Sequence, residues 1–496
     1  MTTRIAIAAT LLLLATAPLA ARAQDKPAPP PKAAPSPSPS PSSTPVPLPA
    51  HVETRHTITL AGRPVDYRAI AETFALHDQK GDVTASVYVV SYVADAPAGV
   101  QRPVAFVFNG GPGAASVFLH LGALGPRVLE TPGDGSLPNP PYKLIDNPSS
   151  WLAFTDLVFV DPVGTGFSRG EGKDDNPNKP FWNVRSDLNS LGAVVRLWLT
   201  RHERWAAPVY LVGESYGGYR VAALAQTLVN DVGVTVNGAV LVSPALDYTM
   251  INSSISNLIA AAIELPSYAA SAAVLAGTPA SPDDLGKVER FALGDYVGGL
   301  VGMTGLPPPG DPFIARVAKT IGLDEDTVRR ERGRVPNAVF VRELRRKQSE
   351  VVSLYDGTVR RATRGNPWDD NAGDPILVPA TAAFTAAFDA YAPDALGYHT
   401  ELPYRVLPHD VSQQWGWAGA DTGEGGLGLA LAGLEQALLA HPQTKVLIVN
   451  GRTDLVTPYL GSRWMVDQLS LPAEVRDRIR FRVYDGGHMM YLRHDS

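Results

Sequence analysis

Cysteine is absent from all 496 residues. The chain therefore holds no disulfide, no thiol nucleophile and no lipid-modified cysteine anchor. An excess of basic charge is missing too. Lys and Arg number 43 against 49 Asp and Glu, a formal net charge of -6 with pI near 5.9, so nothing electrostatic calls for nucleic acid or an anionic membrane as partner. No H-E-x-x-H run or clustered His/Asp set suggests a metal. The segment GTGFSRG has the wrong spacing for a dinucleotide fingerprint. No cofactor is therefore expected. What remains is a globular composition, 45% hydrophobic and 19% charged, able to bury a sizeable core.

The chain opens with MTTR, the apolar run IAIAATLLLLATAPLA and Ala21-Arg22-Ala23, the pattern of a cleavable secretory signal over residues 1–23. An N-terminal membrane anchor is the competing reading, but the run is short and interrupted for a span, and no second span follows. A periplasmic or secreted location is expected, without a membrane anchor after cleavage. Residues 24–50 are a Pro/Ser/Ala tract without apolar periodicity, read as an extended disordered linker.

From there two patterns alternate. TRHTITLAGRPVDYRAIAETFAL and GDVTASVYVVSYVAD alternate polar with β-branched or aromatic residues around turn signals, as antiparallel hairpin strands do. PVAFVFNGG, DLVFVDP, PVYLVGES, GAVLVSP, KVLIVNG and RIRFRVYDGG are short apolar runs ending in Gly, Pro or acidic loops, as strands buried on both faces require. Between them lie helical stretches. The clearest is VRSDLNSLGAVVRLWLTRHER, with Leu188, Leu191, Val195, Trp198 and Leu199 at helical spacing. The alternation predicts an α/β protein with a mostly parallel, doubly wound central sheet preceded by antiparallel strands. Its ligand crevice should lie at the C-terminal ends of the strands. Residues 251–425 break the rhythm and read as an inserted, mainly helical cap dividing the core into 51–250 and 426–496. The basic run RELRRKQ within it reads as a solvated helix face.

Gly213-Glu214-Ser215-Tyr216-Gly217 fits G-x-S-x-G. The match alone says little, but it follows a strand and opens a helix, the setting of a nucleophile elbow. A serine nucleophile needs a base, and the base an orienting acid. Two later loops supply them in the α/β-hydrolase order: NGRTDLVTP with Asp454 and YDGGHMM with His488. Asp485 competes with Asp454 for the acid role, but sits in the same turn as the histidine and reads as its cap. For the oxyanion, one amide should come from Tyr216 and another from the loop Asn109-Gly110-Gly111-Pro112-Gly113, read as Gly111.

In this combination the chain resembles the serine carboxypeptidases. NGGPG, NPSSWLAFTDLVFVDPVGTGFS, GESYGGYR, NGRTD and GGHM occur in that family's order, over most of residues 103–243 and 445–490. The resemblance implies an α/β-hydrolase fold, peptide substrates and removal of a C-terminal amino acid through an acyl-enzyme, favoured at acidic pH. It also implies that Asn109, Gly110 and Glu214 bind the substrate's terminal carboxylate. Where the family often has Trp and Glu partners, this chain has Val107 and Ala123, and Ala114 stands in place of the family's Cys. An acyltransferase or esterase using the same triad is the nearest alternative; a non-catalytic binding protein is the remote one. Outside this set, His120 reads as a packed residue, Asp161 as a holder of its own loop, and Trp415 and Trp417 as either pocket or cap packing.

Overall fold

The computed structural model describes residues 48–97, 99–251, 257–302, 311–418 and 428–494. The expected signal segment, most of the linker and the boundary at 425 lie outside them. The hairpin pattern forms β1 (His51–Leu60), β2 (Arg63–His77) and β3 (Val83–Ala94). The apolar runs form β4 (Val104–Phe108), β5 (Asp156–Val160), β6 (Val209–Glu214), β7 (Val236–Val242), β8 (Lys445–Gly451) and β9 (Ile479–Tyr484).

They join in a ten-stranded sheet ordered β1-β2-β3-β5-β4-β6-β7-β8-β9, with the short strand Arg169–Gly170 paired to β3. The pairs β1/β2, β2/β3 and β3/β5 are antiparallel, whereas β5/β4 and every pair from β4 to β9 are parallel. This is the α/β-hydrolase arrangement. The chain leaves β4 toward β5 on one side and returns to β6 on the other, so the crevice opens above β4 and β6.

Both faces are covered, which explains why β4 is apolar at every position and β5 at every position after Asp156. On one face, α1 (Val184–Arg201), α2 (Tyr216–Thr227) and α3 (Leu429–Ala440) pack against Phe106, Phe108, Leu211 and Leu241. Asn183 caps α1 by accepting from Ser186 N, satisfying an amide that the first turn leaves free.

The other face is where the structure departs from the expected cap. Within the segment 251–425, residues 258–302 and 311–344 build a helical cluster around Tyr268, Tyr296, Ile314 and Phe340, which Leu455, Tyr459 and Leu460 join. The helix Leu377–Asp394, however, lies on the sheet. Its Ala380, Ala383, Phe384, Ala387, Phe388 and Tyr391 are buried with Val107, Tyr88, Tyr92 and Phe159. That i, i+3, i+4, i+7 stripe is an ordinary sheet-covering face, so this stretch forms a core layer although it falls inside the interruption.

Candidate functional site

Register places the central groups before any side chain is considered. Phe108 of β4 is paired with Gly213 of β6, so the residues that follow, Asn109 and Glu214, emerge side by side. Ser215 comes next, with φ +60° and ψ -124°, a conformation that costs a residue with a Cβ about 1–3 kcal/mol. Its neighbours hold it there. Ser215 N donates to Val242 O (2.9 Å), and Ser215 O accepts from Gly218 N (2.9 Å) and Ala245 N (3.0 Å). A Cβ on Gly213 would meet Gly217 O at 2.0 Å, and one on Gly217 would meet Phe108 O at 2.5 Å. The tight strand-to-helix turn therefore tolerates no side chain at either place.

The Asn109–Gly113 loop leans on this turn. A Cβ on Gly110 would lie 2.6 Å from Tyr216 N and 2.7 Å from Ser215 Cβ. The sequence-expected oxyanion donors Gly111 and Tyr216 thus sit on two loops that touch beside Ser215. Arg220, fully buried in α2, fastens the same loop by donating from Nη1 to Asn109 O and from Nε to Asp187 Oδ2 (2.7 Å). The motif GESYGGYR contained Arg220, but its partner Asp187 belongs to another helix, and sequence reasoning assigned it no role. Replacing Arg220 by Leu leaves Asp187 buried without its cation and should cost about 3–5 kcal/mol. A denaturant midpoint indistinguishable from the parent's would contradict this.

His488 and Asp454 arrive from the loops after β9 and β8. His488 Nδ1 is 2.9 Å from Asp454 Oδ2, both groups being buried. With Nδ1–H donating to the carboxylate, Nε2 is the free acceptor. Asp454 Oδ1 accepts from Val456 N (2.8 Å) and Thr457 N (2.9 Å), while Thr457 Oγ1 lies 2.7 Å from Asp454 Oδ2 and 3.1 Å from His488 Nδ1. Thr457 escaped the sequence reading, though it stands in the quoted loop. His488 N donates to Tyr355 O (2.5 Å), so the inserted segment fixes the histidine loop. Burial opposes the imidazolium, but the charge and hydrogen bond of Asp454 prevail and raise the His488 pKa. Asp485 lies outside the His488–Asp454 pair. It pairs with Arg452 (2.8 Å) on the surface.

One cavity of about 120 Å³ collects these groups: Asn109, Gly110, Gly111, Glu214, Ser215 and His488 line it, with Phe118, Tyr355, Leu377 and Met489 as apolar wall. Glu214 is 3% exposed. Burial pushes its carboxyl up to about 7, against the lowering effects of His488, Tyr491 and Asn109. Asn109 Nδ2 donates to Glu214 Oε2 (2.5 Å), and its Oδ1 accepts from Leu119 N (2.9 Å), which fixes the amide's orientation. Tyr491 OH lies 3.1 and 3.0 Å from the two Glu214 oxygens. The sequence signal for Tyr491 was only its place three residues after His488.

The remaining candidates fall outside the cavity. His120 stacks on Phe159 (4.3 Å between centroids) and meets Tyr92 OH at 2.6 Å, and burial pushes its pKa down to about 3. Asp161 reaches beyond its own loop, accepting from Ser116 N (2.8 Å) behind the Asn109–Gly113 turn. Trp415 and Trp417 pack edge-on against the Tyr216 ring, so they back the oxyanion segment. Among the described residues, no group of three or more His, Asp or Glu side chains is placed to hold a metal.

Comparison with known proteins finds a family likeness over part of the chain. Residues 85–267 match the sequence model of the serine carboxypeptidases. Serine carboxypeptidase-like 16 of Arabidopsis thaliana is 32% identical over 162 residues, 30% of this chain and 34% of that protein. A pheromone-processing carboxypeptidase of Talaromyces marneffei is 34% identical over 139 residues, 26% of this chain and 18% of that protein. Among solved structures, a proline iminopeptidase of Mycobacterium smegmatis superposes over 85% of this chain and 92% of its own, at 15% identity and a TM-score of 0.34. The matched stretch spans about a third or less of these curated relatives' length. The family match includes the Asn109 loop and Ser215 and stops before Asp454 and His488.

Proposed function

We propose that this chain, whose residues 85–267 carry the serine carboxypeptidase pattern, is a serine-type carboxypeptidase that removes the C-terminal residue of peptides and works after export. One observation carries the reading. A buried carboxyl that is protonated below about pH 7, Glu214, is paired with Asn109 in the cavity that Ser215 and His488 also line. A generic hydrolase has no use for an acid beside its nucleophile. A neutral Glu214 and an amide donor together form a receptor for a carboxylate.

In this reading Ser215 Oγ attacks the last peptide carbonyl while His488 Nε2 takes its proton, and Asp454 stabilises the imidazolium. The Gly111 and Tyr216 amides take up the oxyanion. His488 then gives the proton to the departing amino acid. A water, deprotonated by the same imidazole, releases the acyl group from Ser215.

The pH dependence follows with a definite sign. Glu214 binds the carboxylate as a neutral acid and repels it once ionised. Turnover of free-carboxylate peptides should therefore fall above about pH 7, approaching about tenfold per pH unit. On the acid side, His488 must lose its proton to act as base, and its raised pKa limits activity there. The Glu214→Gln variant keeps a neutral side chain and should lose the alkaline fall. Profiles of kcat/KM against pH for a peptide and its C-terminal amide test this. An unchanged alkaline fall in the variant refutes the role of Glu214, and equal turnover of both substrates by the parent protein favours an esterase or acyltransferase.

A further inference from the structure

The sequence lacks a polar partner for Glu214 at both positions where the resembling family often has one: Val107 and Ala123 cannot hydrogen-bond through their side chains. Yet Glu214 is not left alone. The tail beyond His488 turns back at Met490–Leu492 and brings the Tyr491 hydroxyl to both carboxyl oxygens.

The placement is built rather than incidental. Arg493 clamps the tail from one side, donating from Nη2 and Nε to the buried Asp356 (2.8 and 3.1 Å) and from Nη2 to Thr358 Oγ1 (2.7 Å). Leu492 is buried in the sheet-side core. Room for the ring comes from Gly122, where a Cβ would lie 2.9 Å from Tyr491 Cε2, with Ala123 next to it. Small residues on one segment and a phenol on another thus occupy a single space beside Glu214.

We propose that Tyr491 is a positioning residue for substrate recognition, holding Glu214 so that its acid proton faces the terminal carboxylate of a bound peptide. The inference rests on the carboxypeptidase reading. Its chemistry runs through the two oxygens. Oε2 accepts from Asn109 Nδ2, whose orientation Leu119 N has fixed, while the Tyr491 hydroxyl lies within hydrogen-bonding distance of both oxygens and holds the carboxyl plane in place. Because the Asn109 amide donates to Oε2, Oε2 is the carbonyl-like oxygen of the neutral acid, and the proton is assigned to Oε1. That is the oxygen left to donate to an incoming carboxylate. Tyr491 stays a donor throughout, since burial and the Glu214 charge drive its pKa up. The other titratable groups acting on Glu214 are His488 and Asp454, and Glu214 in turn acts on Tyr355.

Tyr491→Phe tests this with two readouts that move in opposite senses. Loss of one buried hydrogen bond to the recognition acid should raise KM for a free-carboxylate peptide about tenfold with kcat nearly unchanged. Because the phenol stabilises the ionised carboxyl, its removal should also move the alkaline limb to higher pH. Turnover of an ester substrate lacking a terminal carboxylate should stay at the parent's level, and a thermal melt checks that the fold persists. A variant matching the parent in KM and pH limb overturns the proposal, as does a parallel loss on both substrates, which would mean packing alone. If the parent itself does not distinguish free from blocked C-termini, the carboxypeptidase reading fails first and the proposal with it.

Discussion

Ser215→Ala should abolish peptide turnover, lowering kcat by about 10⁶-fold while peptide affinity changes little. The separation of the two quantities follows from the site's layout. In the proposed mechanism the attacking oxygen belongs to Ser215 and the carboxylate receptor to Asn109 and Glu214, which are hydrogen-bonded to each other, while the turn geometry comes from Gly213, Gly217 and backbone bonds that alanine retains. Single-turnover kinetics and equilibrium binding of a free-carboxylate peptide measure the two. Labelling by a fluorophosphonate probe should vanish as well. Undiminished turnover by Ser215→Ala would remove the nucleophile and with it the mechanism.

Asp454→Asn should cost about 10⁴-fold in kcat with the fold intact. The Oδ1 position still accepts from Val456 N and Thr457 N, so those contacts orient the new amide with its NH2 toward His488 Nδ1. A donor then faces a donor. The imidazole answers by moving its proton from Nδ1 to Nε2, and the nitrogen that must take the serine proton is no longer free. Thr457 Oγ1, within reach of both groups, would have to turn its own proton toward Nδ1 and thereby stabilise the wrong tautomer further. The loss should appear in kcat rather than KM, and NMR of the ring nitrogens would report the tautomer. A decrease of less than tenfold would mean that Asp454 does not orient the base.

Much of this site was legible because its pieces are local. A tight turn with Ser215 needs small neighbours, so Gly213 and Gly217 stand within two residues of it. A loop that touches an elbow backbone needs glycine, hence Gly110. Histidine and acid must follow strands to reach the crevice, and KVLIVNG and RIRFRVYDGG announce those strands by composition alone. The sheet-covering helix Leu377–Asp394 shows the opposite case. Its Ala/Phe stripe was readable as a helix face, but nothing local says whether such a face lies on a sheet or on a cap.

What the sequence by itself determined is therefore the order of strands and loops, the elbow and the chemical types offered at each strand end. These depend on neighbours along the chain: hydrophobic periodicity, steric room at turns, a donor or acid where a loop begins. The tertiary structure alone decided which distant residues complete the site. Tyr491 and Glu214 are separated by 277 positions, and Arg220 meets Asp187 from a different helix. Asp485 meets Arg452, which comes from the loop after another strand. Contacts of this kind leave no periodicity to read. They arise when burial in a packed interior leaves a carboxyl or a guanidinium to find its partner among whatever groups the fold brings within hydrogen-bonding distance.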